Sequence, residues 1–428
     1  MAQFRLARLC LMLAAIGVTA PALVTSAHAQ QQSDAPAAAA APKDTVRPEL
    51  FKLLDPAAIK PLMDAKNYTE VQNRITQAEA MPNRTPYEDY VLNRMKLTLA
   101  STTGNDAAAI PVLEAVIGSG KLTPAEQANF VQALGNMYFN AKNYPKAIEW
   151  FQRYQKESQT PQAVAPALAS AYYLNNDFAK ARDTLLPAIE ATEKAGQKPS
   201  EKDLRMLASS AIKLKDDAGY LVALEKLGRH YPSDDIWADL VNRNTVRKPG
   251  FDQNTHLANY YRLEFATMKQ MEQEEYVNLA ELALRDGFPT EAKKVLDAGY
   301  AAGVLGKGSN AKAHAALRDK ANKGAADDAK NIASGEASAA KAKTGAGLVN
   351  LGWAYATMDQ ADKGIGFIQQ GIAKGGLKNA EEAKLRLGMA QVRAGKKAEA
   401  LQTFESIKGG GGAGDLARVW IMYLNQQG

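Results

Sequence analysis

Small and large apolar residues recur along this chain at fixed offsets. Leu134-Gly135 is followed by Tyr138, Ala147 and Phe151, and Leu168-Ala169 by Tyr172, Ala181 and Leu185. The two leucines are 34 residues apart, and the offsets from Leu are four, thirteen and seventeen in both segments. Further copies read Leu207-Ala208, Ala211, Tyr220, Leu224; Leu279-Ala280, Ala283, Ala292, Leu296; Leu351-Gly352, Tyr355, Gly364, Ile368; and Leu387-Gly388, Gln391, Ala400, Phe404. An apolar spacing of four lies along one helix face, so each copy predicts two helices, A and B. Polar stretches at 140–144, 175–178 and 394–397 supply turns between them. Val and Ile occur singly at helical spacing, and no alternating run predicts a strand.

The intervals extend the pattern. Leu207 to Leu279 and Leu279 to Leu351 are each 72 residues, which fits two units of 36. A worn copy is therefore expected near 235–270 and another near 305–340. The first gap holds helical stretches at 235–242 and 256–271, joined by the breaker Lys248-Pro249-Gly250. The second holds 310–322 and 325–334. Upstream, 57–64 with 69–79 and 87–100 with 105–117 read as two more, for about ten helix pairs in all. A last helix, 415–425, follows the glycines at 409–412 and reads as a cap sealed by Trp420, Ile421 and Leu424.

These copies resemble the tetratricopeptide repeat, whose pattern is W-x2-L-G-x2-Y, then A-x3-F, then P. The match is most specific at 128–161, 345–378 and 381–407, good at 162–195, and weaker at 201–234 and 273–300; Val131 and Leu348 stand at the Trp position. The resemblance implies an all-α chain, an α-solenoid of stacked antiparallel helix pairs forming a right-handed superhelix. The expected organisation is a signal peptide over 1–29, a flexible Ala/Pro/Gln-rich linker over 30–47, repeats over 48–300 with the first ones degenerate, a degenerate helical repeat over 301–344, C-terminal repeats over 345–408, and a glycine hinge with a capping helix over 409–428.

The expected signal peptide rests on three features. Arg5 and Arg8 precede the apolar run 9–18, and Ala27-His28-Ala29 ends the segment, with cleavage expected after Ala29. That cut removes Cys10, the one cysteine of the 428 residues, and lowers the formal charge from +6 to +4. A disulfide framework and a cysteine-built zinc site are thereby excluded. The charge is too mild and dispersed for a nucleic-acid partner, and no second long apolar run predicts membrane insertion after cleavage. Hydrophobic residues at 46% with 23% charged allow an extensive core.

The sequence offers no catalytic, cofactor or metal residues. No H-E-x-x-H is present, and Gly306-Lys307-Gly308 lacks the rest of a P-loop. Ser210-x-x-Lys213, Ser233-Asp234-Asp235 and Lys343-Thr344-Gly345 imitate the marks of penicillin-recognising serine enzymes, but that chemistry needs a strand beside the nucleophile, and Ser210 falls inside a repeat helix.

A solenoid of helix pairs presents a concave face lined by its A helices, and such a groove holds an extended peptide or a partner helix. The positions on that face are Gln132, Asn136, Phe139 and Asn140; Ser170, Tyr173 and Leu174; Val349 and Trp353; and Leu385, Met389, Val392 and Arg393. Asn and Tyr suit a bound backbone, Trp353 and Met389 an apolar side chain. A carboxylate clamp of the kind some relatives use is poorly matched: Gln132 stands where Lys is expected, Ala167 and Met206 fill later clamp positions, and only Asn136 and Lys202 fit. The expected function is a non-enzymatic protein-interaction scaffold of the bacterial cell envelope, located in the periplasm, with a protein or peptide partner and no cofactor. A cell-wall hydrolase or lytic factor and a self-assembling structural protein are the alternatives.

Overall fold

A computed structural model describes residues 44–409 and 411–426. The expected signal peptide and nearly all of the expected linker lie outside them. The chain divides into two compact units, Met1–Ala191 and Thr192–Gly428. No strand occurs among the described residues.

Unit 1 contains α1 (Pro48–Leu54), α2 (Pro56–Asp64), α3 (Tyr68–Glu79), α4 (Pro86–Thr103), α5 (Asp106–Gly118), α6 (Pro124–Asn140), α7 (Tyr144–Glu157), α8 (Ala165–Leu174) and α9 (Phe178–Lys194), in whose last turn the units divide. Unit 2 contains α10 (Glu201–Leu214), α11 (Asp217–His230), α12 (Asp234–Asn244), α13 (Gln253–Thr267), α14 (Gln273–Arg285), α15 (Pro289–Ala301), α16 (Ala311–Asn331), α17 (Glu336–Lys341), α18 (Ala346–Thr357), α19 (Ala361–Lys374), α20 (Ala380–Arg393), α21 (Lys397–Glu405) and α22 (Ala413–Gln426). In each unit consecutive helices pack in pairs.

Local chemistry sets the breaks. At one turn after another a residue in the left-handed region precedes the cap of the next helix: Lys66 before Asn67, Gly104 before Asn105, Lys142 before Asn143, Lys215 before Asp216. Each of those cap side chains accepts a hydrogen bond from an otherwise unsatisfied N–H in the next helix's first turn. The longer A helices α4 and α6 start on capping boxes, Thr85 with Glu88 and Thr123 with Glu126, each followed by proline at the first helical position.

Glu88 has a second task. Its buried carboxylate accepts from the Arg47 backbone N–H at 2.9 Å and from the Arg47 guanidinium at 2.7 and 2.8 Å. Hydrogen bonding to Arg47 holds this carboxyl down to about 2. Arg47, at the end of the expected linker, is thus fastened to α4.

Packing follows the small residues. A Cβ built on Gly135 would lie 2.7 Å from the Phe151 ring, and one on Gly388 would lie 2.5 Å from the Phe404 ring. In both pairs the absent side chain lets a B-helix phenylalanine lie against the A-helix backbone, and both rings are buried. Helices α18 and α19 approach closer still. Gly352 faces Gly364, and Gly345 faces Gly371, seven residues further along each helix in opposite directions. A Cβ on Gly352 would meet the Gly364 carbonyl oxygen at 2.5 Å and the Ile368 side chain at 2.7 Å.

Two expectations change. The pair expected at 310–322 and 325–334 is one helix, α16, followed by a short 3-10 turn and α17. The stretch carries no proline, and Gly324, which invites a break, is a packing contact: a Cβ there would lie 2.7 Å from Pro289. The capping helix α22 does seal α21, with Trp420 stacked on Phe404 at 5.7 Å, but it also reaches α11, α12 and α13. Trp420 and Leu424 are buried, whereas Ile421 is half-buried. The serine-enzyme imitation has structural explanations: Ser210 is buried and its hydroxyl donates to the Met206 carbonyl, while Gly345 meets Gly371.

The α18–α19 contact involves backbone, so no rotamer change relieves an added methyl. Gly352→Ala is expected to destabilise the protein by about 3 kcal/mol, the upper end for overpacking. Gly366→Ala, on the same pair but with nothing within 4 Å of its Cβ, is expected to stabilise by about 0.5–1 kcal/mol through helix propensity. Urea unfolding of the two variants beside wild type checks both signs.

Candidate functional site

In unit 1 the A helix α6 carries three amides four residues apart. Gln132 and Asn136 are half-buried and Asn140 is exposed, so they run along one face. The opposite stripe, Phe130, Val131, Leu134 and Met137, is buried in the unit's core. Among the described residues none of the three amides makes a hydrogen bond. At the end of α6, Phe139 meets Tyr144 edge-on at 5.7 Å, and at the end of α8 Tyr173 meets Phe178 in the same manner at 5.2 Å. Both pairs clasp the A–B turn and stay partly accessible, and Leu174 beside Tyr173 is exposed. Ser170 is otherwise placed. It is buried, and its hydroxyl donates to the Pro166 carbonyl at 2.8 Å. Its hydrogen bond is spent within α8.

In unit 2 the expected face is closed at Trp353 and Met389, whereas Arg393 is exposed. Trp353 is 1% and Met389 3% exposed, so neither offers surface for a partner's side chain. The reason is a buried charged cluster that draws α13, α15, α18 and α20 together. Arg262 on α13 forms a fork on Glu291 of α15, with contacts of 2.8 and 3.0 Å, and also donates to Asn259 Oδ1. The Trp353 indole N–H donates to Glu291 at 3.3 Å. Arg393 reaches Glu291 at 3.5 Å and lies over the Trp353 ring from a position on α20. The guanidiniums of Arg262 and Arg386 both lie over the Phe288 ring. Next to this, Glu382 on α20 accepts from Asn259 at 2.9 Å, sits 3.2 Å from His256, and pairs with Arg386.

The electrostatics follow the partners. Burial pushes the Glu291 carboxyl up, but the charge and hydrogen bonds of Arg262 outweigh it and hold it below the usual range. Glu382 is held down to about 2 in the same way, burial being overcome by His256, Arg386 and Asn259. Arg386 and Arg393 are pulled down by burial and by repulsion from neighbouring Arg262. Glu264 on α13 lacks such partners: its Oε2 is buried without a hydrogen bond, and burial lifts the carboxyl to about 8. Among the described residues no three His, Cys, Asp or Glu side chains converge as a metal would require, and no helix is long and apolar enough to cross a membrane.

Arg262, Glu291, Glu382 and Arg386 were not singled out from the sequence. A signal exists in retrospect. Glu291 sits beside Ala292 and four residues before Val295 on the buried stripe of α15, and Arg262 sits four residues after buried Ala258. A charge on an apolar stripe calls for a buried counter-charge.

Residues 382–409, which span α20 and α21, match the family model of the tetratricopeptide repeat. That stretch carries a tetratricopeptide repeat. Repeats of this family are protein-interaction modules. Among solved structures it is similar to the TPR2AB-domain:pHSP90 complex of yeast Sti1, at 16% identity over 71% of this chain and 100% of that one, with a TM-score of 0.24. It is also similar to a tetratricopeptide repeat protein from Parabacteroides merdae, at 11% identity over 64% and 97% of the two chains and a TM-score of 0.30. A third is the C-terminal part of a TPR repeat-containing protein from Cytophaga hutchinsonii, at 14% identity over 62% and 98% and a TM-score of 0.31. At these scores none of the three bears on shape or binding. No curated protein matches the sequence.

Two predictions follow from the cluster of this repeat protein. Glu291→Gln leaves Arg262 buried without its counter-charge and is expected to cost about 3–5 kcal/mol in urea unfolding at pH 7. Glu264 has the opposite sign. Its folded value of about 8 lies above its ordinary 4.5, so its contribution is complete below about pH 4.5 and is lost as pH rises through about 8. Glu264→Gln stays neutral throughout. Relative to wild type it is expected to gain about 4 kcal/mol between pH 4.5 and pH 8, by paired unfolding curves at the two pH values.

Proposed function

We propose that this protein is an exported interaction scaffold of the bacterial cell envelope, located in the periplasm. It holds an extended segment of a partner protein against the amide face of α6, beside the aromatic pairs at the ends of α6 and α8. The observation that carries the reading is the row Gln132, Asn136 and Asn140. Three amides along one helix face, none buried and none hydrogen-bonded among the described residues, are donors and acceptors left for a backbone that is not part of the fold. Phe139 and Tyr173 add rigid apolar surface at the end of that row, where a side chain of the segment is held. The first twenty-nine residues, with their charged start, apolar run and A-x-A end, support export.

The test places a photo-crosslinking residue at position 136 in cells and, as a control, at the exposed position 156 on α7. Adducts confined to position 136, reduced at least tenfold by Phe139→Ala in the same chain, are expected. Equal adducts at both positions, or none at 136, would refute the binding face. N-terminal sequencing of the chain from the periplasmic fraction is expected to start at Gln30; an intact Met1 on cytoplasmic protein would refute export.

A further inference from the structure

The last helix of unit 2 does more than cap. α22 lies against α21 through Trp420 and Phe404 and touches α20, and its remaining contacts run back to the first helices of the unit. Tyr423 meets Trp237 of α12 edge-on at 5.7 Å. Arg418 pairs with Glu225 of α11, and Gln426 donates to the Gly228 carbonyl at 2.6 Å. Asp415 pairs with Lys248, just before α13, and the Asp252 N–H donates to the Gly411 carbonyl at 2.9 Å. The centre of this contact is aromatic and its rim is charged, which is the layout of a helix seated on a partner's groove.

Three features separate this seat from the rest of the unit. The segment between α21 and α22 is rich in glycine, and Gly411 and Gly412 both have positive φ. The two ion pairs are at the rim, with Arg418 and Lys248 about half exposed, where such pairs hold weakly. The indole N–H of Trp420 is buried and has no acceptor. A buried donor without a partner weakens the contact that encloses it. By contrast, α20 is fixed through Glu382, which accepts from the buried amide of Asn259 and pairs with Arg386.

We infer that α22 is a displaceable occupant of a helix-docking face made by α11, α12 and α13, and that this face takes an amphipathic helix of a partner protein with the same chemistry. That helix carries an acid at its start to meet Lys248, an arginine one turn on to meet Glu225, and two aromatic residues three apart, the first to stack on Phe404 and the second to meet Trp237. The tether keeps α22 at high local concentration, so the face is closed until a competing helix fills the same centre without leaving a buried donor unpaired. This face belongs to unit 2 and stands independently of the α6 row proposed above.

The experiment uses the full chain and a fluorescent peptide of residues 413–426. Arg418→Glu in the chain sets its own α22 against Glu225 and leaves Glu225 free for the peptide's arginine. Peptide affinity for Arg418→Glu is expected to exceed that for wild type by at least tenfold, and the added substitution Glu225→Arg to abolish the gain. Equal affinity for the two chains would overturn the inference. Hydrogen exchange on wild type is a second readout that needs no variant. The α22 amides are expected to exchange together and at least tenfold faster than those of α20; protection equal to α20 would overturn the inference. A dimer of Arg418→Glu seen by light scattering without peptide uptake would make the occupant a second copy and overturn it as well.

Discussion

The close approach of paired helices is the constraint on which everything else in this protein depends. A helix pair here does not interdigitate two full sets of side chains. One helix gives up a side chain, and the other lays an aromatic ring or its own backbone into the space. Gly135 admits Phe151, Gly388 admits Phe404, and Gly352 with Gly364 admits backbone against backbone. The removed volume is small, but cores are dense enough that one methyl decides whether the contact forms. A pair built in this way buries only one face and leaves the other to its neighbours. Both the continuity of the core in each unit and the fate of each A-helix face follow from that.

This constraint was readable in the sequence because it is local. Gly135 and Phe151 are sixteen residues apart, and Gly388 and Phe404 repeat that interval. The turn signals are local too, since an Asn or Asp cap after a left-handed residue acts within a few positions. Gly324 shows where local reading stops. In sequence it looks like the break between two short helices, but its neighbour in space is Pro289, thirty-five residues earlier. The same glycine chemistry serves a recognisable contact at Gly135 and an unrecognised one at Gly324, between the stretches 310–322 and 325–334, because only a partner at a fixed short offset can be recognised. Asn259 with Glu382 and Arg418 with Glu225 lie further out still, 123 and 193 residues apart. No repeat-length offset points to them.

The buried cluster of unit 2 is weak as a source of stability, because the attraction between Arg262 and Glu291 is offset by the cost of dehydrating both. Its effect is on specificity. A fork on Glu291 from one helix, an indole N–H from a second and a guanidinium from a third can all be satisfied at once in one arrangement only. Leucines in these positions would bury as well in several. The cluster therefore fixes how α13, α15, α18 and α20 meet. Trp353 and Met389 were expected on an open face; their part of it became an interior because the polar groups around them found one another, while Arg393 at its edge stays exposed.

Units 1 and 2 thus use the same repeat to different ends, and the difference lies in where the polar groups of the A helices go. On α6 the amides of Gln132, Asn136 and Asn140 find nothing in the described fold to bond, so the face stays hydrated and open. On α13 and α20 the polar residues are charged and complementary, so they draw the helices together and exclude water. A neutral amide loses little by waiting in water for a partner, whereas charges aligned across a short gap gain by closing it once their remaining hydrogen bonds are also satisfied. Helix α22 lies between these extremes. Its apolar centre is buried but its ion pairs remain at the wet rim, and its indole donor, Trp420, is left over. That is the balance in which a contact forms within the chain and can still be exchanged.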